Sequence, residues 1–297
     1  MAIQRVESVV YRANDVEAGI QYFDDWGLET IESGVSGAVF RTPENQFIHL
    51  RGTGDDTLAD SPEAGPTICE TVWGVDDKAG LDAIGAELSK DREVTVDTDG
   101  VLHSKDETGF SIAFQVSDRT VMELDAPEFN LNESYTRLNV PIDPEQRVRP
   151  IRIGHVVFNI PTQGWEEAAA FYMDRLGFRL SDRANDTGSF MRCEGGRDHH
   201  NLFLAHRQDR AGVNHTAYEV RDFDEIMLGG KFMKTQGWTP NTTPGRHIMG
   251  SNLFWYFKNP SGGATEYFAD MDRMDDDWEP RIWEDNPGFA MWMFDDD

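Results

Sequence analysis

Three residues with the chemistry of metal ligands stand well separated in the second half of the chain: His155, His215 and Glu266. Each lies within a stretch of alternating apolar character, which predicts that each sits at the centre of a different β-strand. Two neutral imidazoles and one carboxylate on one face of a divalent ion such as Fe(II) or Mn(II) leave about three coordination positions open to other molecules. A single histidine taken alone is more simply a hydrogen-bonded polar residue at a strand end. The argument for the set comes from where its members fall in a repeat that runs through the chain.

The stretch VESVVYRANDVEAGIQYFDDWGLETI, from Val6, and the stretch IGHVVFNIPTQGWEEAAAFYMDRLGFRL, from Ile153, follow one order: alternating strand, turn, amphipathic helix, then Gly-Leu or Gly-Phe. Such self-similarity marks a duplication. Trp165, Ala168, Ala169, Tyr172 and Leu176 recur at helical spacing, with Gly177 placed as a left-handed cap, and Val16, Ile20, Phe23 and Gly27 match them. TICETVWGVDD from Thr67 corresponds to GVNHTAYEVRD from Gly212, where Asp222 and Glu225 make a capping-box pattern. DETGFSIAF from Asp106 corresponds to NPSGGATEY from Asn259. Under this overlay His155, His215 and Glu266 fall on Ser8, Glu70 and Ala113, so one working site is expected, in the C-terminal half.

Each half reads as strand, helix and several strands, twice over. The expected fold is α+β: two similar domains, each of two βαβββ modules, with a concave sheet face free for a ligand. The expected divisions are an N-terminal domain over 1–131 without metal, a linker over 132–150 with three prolines, a C-terminal metal-bearing domain over 151–270, and an acidic, aromatic segment over 271–297. That last segment, with Trp278, Trp283, Trp292 and Phe294, is too aromatic for a solvated tail and is expected as a pocket lid or a subunit contact.

Lys+Arg 27 against Asp+Glu 54 gives a net charge of −27, which repels nucleic-acid backbones and anionic lipid surfaces. Neither partner is expected. Only six lysines occur (Lys78, Lys90, Lys105, Lys231, Lys234 and Lys258), and the lysine-poor, aspartate-rich composition resembles that of proteins from salt-loving organisms. Salt screens such self-repulsion over a Debye length of only ~3 Å at molar ionic strength, so the melting temperature is expected to rise with salt. Cys69 and Cys193 lack any ligand spacing and are expected as small packing residues. Without a signal-peptide core or an apolar run of about 18 residues, the chain is expected to be soluble and cytoplasmic.

The stretches GRHIMGSNLFWYFKNPSGGATEYF and RDHHNLFLAH carry a resemblance that covers essentially the whole chain. The sequence resembles the vicinal-oxygen-chelate superfamily, of glyoxalase, bleomycin-resistance and dihydroxybiphenyl-dioxygenase fold type, and within it the type I extradiol (catechol 2,3-) dioxygenases. The resemblance implies that His155, His215 and Glu266 hold Fe(II), or Mn(II), and that His200, His247 and Tyr256 are catalytic. Tyr256 and His247 stand ten and nineteen residues before Glu266, as the family spacing requires. It further implies extradiol cleavage of a catechol by O2 to a 2-hydroxymuconic-semialdehyde-type product, and a homo-oligomer. The second histidine of the His199–His200 pair matches the family's acid/base, and strand alternation is expected to put His200, Leu202 and Leu204 on one face with His199 on the other.

His199 and His206 are expected on the solvent side, and His49 and His103 as surface or packing residues. Trp255 stands where the family usually has an aliphatic residue or Phe, which is expected to alter a pocket wall. Phe190, Trp238, Phe254 and Trp255 are candidates for flanking a flat ring, or for core. No basic cluster specifies a carboxylated catechol. Two rival functions remain, a glyoxalase-like metal-dependent isomerase or lyase and a metal-free small-molecule binding protein; neither needs His200, His247 and Tyr256 together, and the second does not need the metal set.

Overall fold

The computed structural model describes residues 2–124 and 129–295. Asp296 and Asp297, the end of the expected C-terminal segment, lie outside the described residues. The first half runs β1 (Ile3–Ala13), α1 (Val16–Trp26), β2 (Glu29–Gly34), β3 (Gly37–Arg41), β4 (Phe47–Gly52), β5 (Thr67–Val75), α2 (Lys78–Leu88), β6 (Thr95–Val96), β7 (Leu102–Lys105) and β8 (Ser111–Val116). A short hairpin, β9 (Asn130–Leu131) and β10 (Ser134–Tyr135), straddles the expected boundary between the N-terminal domain and the proline-rich connection. The second half runs β11 (Arg152–Pro161), α3 (Trp165–Ala170), β12 (Arg179–Ala184), β13 (Gly188–Arg192), β14 (Leu202–Arg207), β15 (Gly212–Glu219), α4 (Phe223–Thr235), β16 (Gly245–His247), β17 (Leu253–Lys258) and β18 (Ala264–Ala269). Two further strands, β19 (Arg281–Trp283) and β20 (Ala290–Met293), come from the C-terminal segment.

The two sheets share one plan. Their orders are β2-β3-β4-β1-β5-β8-β7-β6 and β19-β12-β13-β14-β11-β15-β18-β17-β16-β20. In the first, β1 and β5 pair antiparallel at the centre, each flanked by a parallel partner, β4 and β8. In the second, β11 and β15 pair in the same way, flanked by β14 and β18. This is the expected α+β arrangement of βαβββ modules.

Local chemistry explains the helix limits. Asp15 caps α1 by accepting the Ala18 N–H at 2.9 Å, and Gly27 ends it at φ +98°, where a Cβ would lie 2.2 Å from the Val148 carbonyl oxygen. The second-half helix carries one more residue before its own left-handed glycine, Gly177, and takes it up as a π-helical turn over Phe171–Arg175. Asp222 caps α4 through the Glu225 N–H, while the Glu225 carboxylate reaches back to the N–H of Arg221, one residue beyond the cap.

A continuous apolar core joins the halves. Trp26 stacks on Tyr267 with ring centroids 3.6 Å apart, an aromatic pair worth about 1 kcal/mol beyond its burial. Paired tyrosine contacts cross the same boundary: Tyr11 to Thr216 and Tyr172 to Asp106, each at 2.8 Å. Cys69 and Cys193 are buried and free, as packing residues should be. No described helix is long and apolar enough to cross a membrane.

The C-terminal segment adds β19 to the β12 edge and β20 to the β16 edge of the second sheet. The residues between them cross the mouth of its concave face, and Asn286, Gly288 and Phe289 line the cavity there. The segment thus serves as cover over the pocket, the first of its two expected roles.

Candidate metal centre

β11, β15 and β18 lie side by side in the second sheet, and their register brings the three candidate ligands together. His155 pairs with Ala217, and Ala217 with Glu266, while His215 pairs with Val157. The Nε2 atoms of His155 and His215 lie 3.0 and 3.3 Å from Glu266 Oε2 and 3.4 Å from each other. All three residues are buried, Glu266 completely.

Neighbouring groups orient these atoms. His215 faces Asn214 Oδ1 through Nδ1 at 2.9 Å, so its Nδ1–H donates and Nε2 keeps a lone pair for an ion. Asn214 is held in turn by donating to Asn159 at 2.9 Å. Asn252 Nδ2 donates to Glu266 Oε1 at 3.0 Å, which leaves Oε2 as the oxygen nearest the two imidazoles. The turn before Asn252 puts Ser251 at φ +56°, a left-handed conformation that aims the asparagine at the glutamate. Nδ1 of His155 has no hydrogen-bond partner among the described residues.

Burial by itself would raise the pKa of Glu266, but hydrogen bonding to His155, His215 and His247 outweighs it and holds the carboxyl well below its usual range. Burial lowers His215 despite the nearby carboxylate, so that imidazole is neutral. An ionised carboxylate is thus enclosed among imidazoles, with no lysine or arginine paired to it among the described residues. Such a charge is costly unless a cation compensates it, and two imidazole nitrogens with one carboxylate oxygen suit a divalent first-row ion. The residues fit a metal.

The remaining candidates surround the same space, a cavity of about 380 Å³ lined by His155, His200, His215, His247 and Tyr256. The Tyr256 hydroxyl lies 2.9 Å from His247 Nε2, and Tyr256 is the strand partner of Glu266. Burial, then the Glu266 charge, pushes the phenol well above its usual pKa. The His200 ring centroid is 4.2 Å from that of His155. Burial, reinforced by His155 and His199, pushes His200 well below the ordinary histidine value, so it is neutral.

Several sequence expectations change here. His199 and His206 are buried rather than solvent-facing. His199 contacts Asp182, and His206 packs against the Trp165 ring at 4.8 Å. The alternation expected from His200 to Leu204 also fails, because Asp198–Asn201 forms a bend and not a strand. Asp198 is clamped there by Arg152, and Asn201 by the Gly154 carbonyl and the Cys193 N–H. Leu202 and Leu204 therefore enter the main core, and Phe203 shares the cavity with His200.

Of the four aromatic residues considered for the wall, only Phe190 lines the cavity, stacked on Phe203 with centroids 3.8 Å apart. Trp255 changes no pocket wall. It neighbours Tyr256 on β17 and so points to the opposite face, against α4, where a Cβ at Gly230 would come 2.0 Å from its ring. Trp238 packs edge-on to Tyr22, and Phe254 lies behind His247. Asn252, Asn214, Phe203 and Phe289 were missed. Asn214 adjoins His215 in sequence, a signal that was available; Phe289 had none.

Residues 152–267 match the family model for the Glyoxalase/Bleomycin resistance protein/Dioxygenase superfamily and form a domain of that kind. Metapyrocatechase 2 of Cupriavidus necator is 42% identical over 127 residues, which cover 43% of this chain and 39% of that protein. The chain spans about half or less of the length of the curated relatives it matches. The Mn(II)-bound glyoxalase from Novosphingobium aromaticivorans has a TM-score of 0.75 at 22% identity, covering 98% of this chain and 91% of that one. The 2,3-dioxygenase LapB from Pseudomonas sp. KL28 has a TM-score of 0.75 at 18% identity, covering 95% and 98%. At these identities the likeness to the solved structures is one of fold.

Proposed function

We propose that this chain, whose second half is built on the glyoxalase and dioxygenase plan, cleaves a catechol by O2 outside its two hydroxyls to a 2-hydroxymuconic-semialdehyde-type product. The ligands would be His155, His215 and Glu266 around one mononuclear non-haem Fe(II), with Mn(II) as the other candidate. One observation carries the reading: His200, His247 and Tyr256 share a cavity with the two imidazoles and the carboxylate. A glyoxalase-like isomerase needs the metal set but not that trio. The likeness of the second half to a metapyrocatechase points the same way.

When bound, the ion lowers the pKa of a coordinated catechol hydroxyl and gives electrons a path from substrate to O2. The chain's own side chains do the rest. The stacked Phe190 and Phe203 form one aromatic wall against which a flat ring packs. Asn252 holds Glu266 Oε1, so that one carboxylate oxygen serves as ligand and the other is fixed. His200, neutral and buried, takes the proton of the second hydroxyl. The Tyr256 hydroxyl and His247, already paired at 2.9 Å, hydrogen-bond a substrate oxygen opposite His200. Phe289 covers the cavity from the C-terminal segment and limits water. The same reading takes the protein as a cytoplasmic homo-oligomer working in aromatic-compound catabolism.

The test is an assay in high salt with protein loaded anaerobically with Fe(II), mixed with catechol in air. Metal-dependent O2 uptake with a yellow product is expected. No uptake on catechol, dihydroxybiphenyl or homoprotocatechuate by protein that demonstrably holds metal would overturn ring cleavage in favour of an isomerase or lyase.

A further inference from the structure

Behind His200, on the side away from the cavity, runs a line of buried polar groups that the scheme above leaves without a task. His200 Nδ1 lies 2.9 Å from His199 Nδ1, and His199 Nε2 lies 2.7 Å from Asp182 Oδ2. Asp182 Oδ1 accepts Arg281 Nε at 2.8 Å and Trp283 Nε1 at 3.1 Å, and Arg281 Nη2 donates to Oδ2. Asp182 and His199 are completely buried. Arg281 and Trp283 come from β19, so the C-terminal segment anchors the far end of the line.

We infer that Asp182 and His199 are positioning residues that fix the tautomer of His200, keeping its Nε2 bare toward the cavity to receive a substrate hydroxyl proton. The use of that nitrogen rests on the ring-cleavage reading; the tautomer does not.

The assignment follows from counting donors. Arg281 and Trp283 can only donate, and an ionised Asp182 can only accept. His199 must therefore give its Nε2–H to Asp182. Burial keeps His199 neutral, so it has no second proton and Nδ1 is an acceptor. Two bare nitrogens 2.9 Å apart would repel, so His200 supplies the proton from its own Nδ1. Neutral His200 is then bare at Nε2, which has no protein partner among the described residues and lies at the ring edge away from His199. When a catechol O–H gives its proton to that atom, the O–H bond breaks and an N–H bond forms. His200 becomes imidazolium, still donating through Nδ1 to His199, whose contact with the Asp182 carboxylate stabilises the new charge.

Asparagine at position 182 should invert the line. With its oxygen opposite Arg281 Nε and Trp283 Nε1, the amide NH2 meets a single fixed donor, Arg281 Nη2, whereas the reverse placement would set NH2 against both Nε and Trp283 Nε1; the NH2 therefore turns toward His199. His199 then accepts at Nε2 and carries its proton on Nδ1. His200 must accept at Nδ1 and carry its proton on Nε2, where it blocks proton uptake.

The experiment is long-range 1H–15N correlation NMR on full-length, 15N-histidine-labelled protein loaded with diamagnetic Zn(II), which the same ligands bind. Eight histidines are observed, and His200 is assigned by its loss in His200→Gln. The wild type is expected to show a protonated Nδ1 and a bare Nε2 at His200, and Asp182→Asn to exchange them. With Fe(II), Asp182→Asn is expected to lower kcat on the order of 100-fold with KM for catechol little changed. Should Asp182→Asn not fold, His199→Phe keeps a ring in the site but removes the acceptor, and His200 is expected to show averaged tautomers. A wild-type His200 protonated at Nε2, or one that keeps a fixed Nδ1–H in both variants, overturns the inference. Tautomers as stated in a protein that cleaves no catechol would support the inference while ending the ring-cleavage reading.

Discussion

The two halves of this protein put different side chains at the same places in one backbone register. Ser8 pairs with Val72, and Val72 with Ala113, just as His155 pairs with Ala217, and Ala217 with Glu266. Glu70 opposes Val10 as His215 opposes Val157. Tyr256, opposite Glu266, has its counterpart in His103 opposite Ala113. His200, two residues before Leu202, corresponds to Gln46, two residues before Ile48.

The contrast at His200 and Gln46 is the clearest. Both are buried polar side chains, but Gln46 spends its hydrogen bonds on fixed protein groups: it donates to the carbonyls of Val6 and Ile153 and accepts the Ile153 N–H at 2.7 Å and the Thr42 hydroxyl at 3.2 Å. The first half uses the position to hold the halves together, while the second leaves one nitrogen free for chemistry. The fold tolerates either because strand pairing depends on backbone groups and on the apolar face, and both are shared.

Exchanging residues between the halves would break or sharpen this comparison. Glu266→Ala installs the Ala113 side chain and should abolish metal retention, beyond the roughly 100-fold loss typical of removing an outer partner. Metal analysis after gel filtration checks it, and full metal occupancy would remove Glu266 from the ligand set. His200→Gln installs the Gln46 side chain. Turnover should fall by roughly 10²- to 10⁴-fold with metal content unchanged, as steady-state O2 uptake beside metal analysis would read. Loss of metal instead would make His200 a ligand.

Gln46→Ala should destabilise the protein by roughly 4 kcal/mol, because three buried backbone groups lose their partner. Denaturant unfolding measures it, and an unchanged midpoint would mean that the halves do not depend on this bridge.

The smallest effect concerns Asp106, whose counterpart is Asn259. Burial raises Asp106 from 3.8 to about 6, against the lowering effect of the Tyr172 hydroxyl and backbone N–H groups. A carboxyl raised on folding favours the protonated native state. Its contribution is fully present below pH 3.8 and lost as pH rises through about 6. The loss is about 3 kcal/mol for a shift of this size. Asp106→Asn should therefore remove part of the decline in stability between pH 4 and 6, seen as a converging difference in melting temperature toward acid pH. Parallel pH profiles for the two proteins would refute the shift.

The repeat, the capped helices and the three candidate ligands could be read from sequence because each depends on a short-range pattern: alternation in strands, spacing in helices, and glycine after a helix. Tyr256 and His247 came from the family resemblance, by their spacing before Glu266; in the fold Tyr256 opposes Glu266 across the β17–β18 hairpin and His247 ends β16 beside it. The failures lie where short-range patterns stop. The bend at Asp198–Asn201 cancels the alternation from which His199 was sent to solvent, and the reason for the bend is Arg152, 46 residues away. Asn252 depends on the left-handed turn at Ser251, which residue type does not announce. The side of the sheet on which Trp255 packs was implicit in its place beside Tyr256, but only once Tyr256 was known to face the cavity.

The segment that reaches both edges of the second sheet gives truncation an unusual outcome. Removing everything after Asp277 would delete the cavity cover, strip Asp182 of Arg281 and Trp283, and uncover β12 and β16 together. Uncovered edges invite strand addition between molecules. A clipped chain is then expected to aggregate rather than persist in solution with an open site, so one covalent stretch ties solubility to the cover of the cavity.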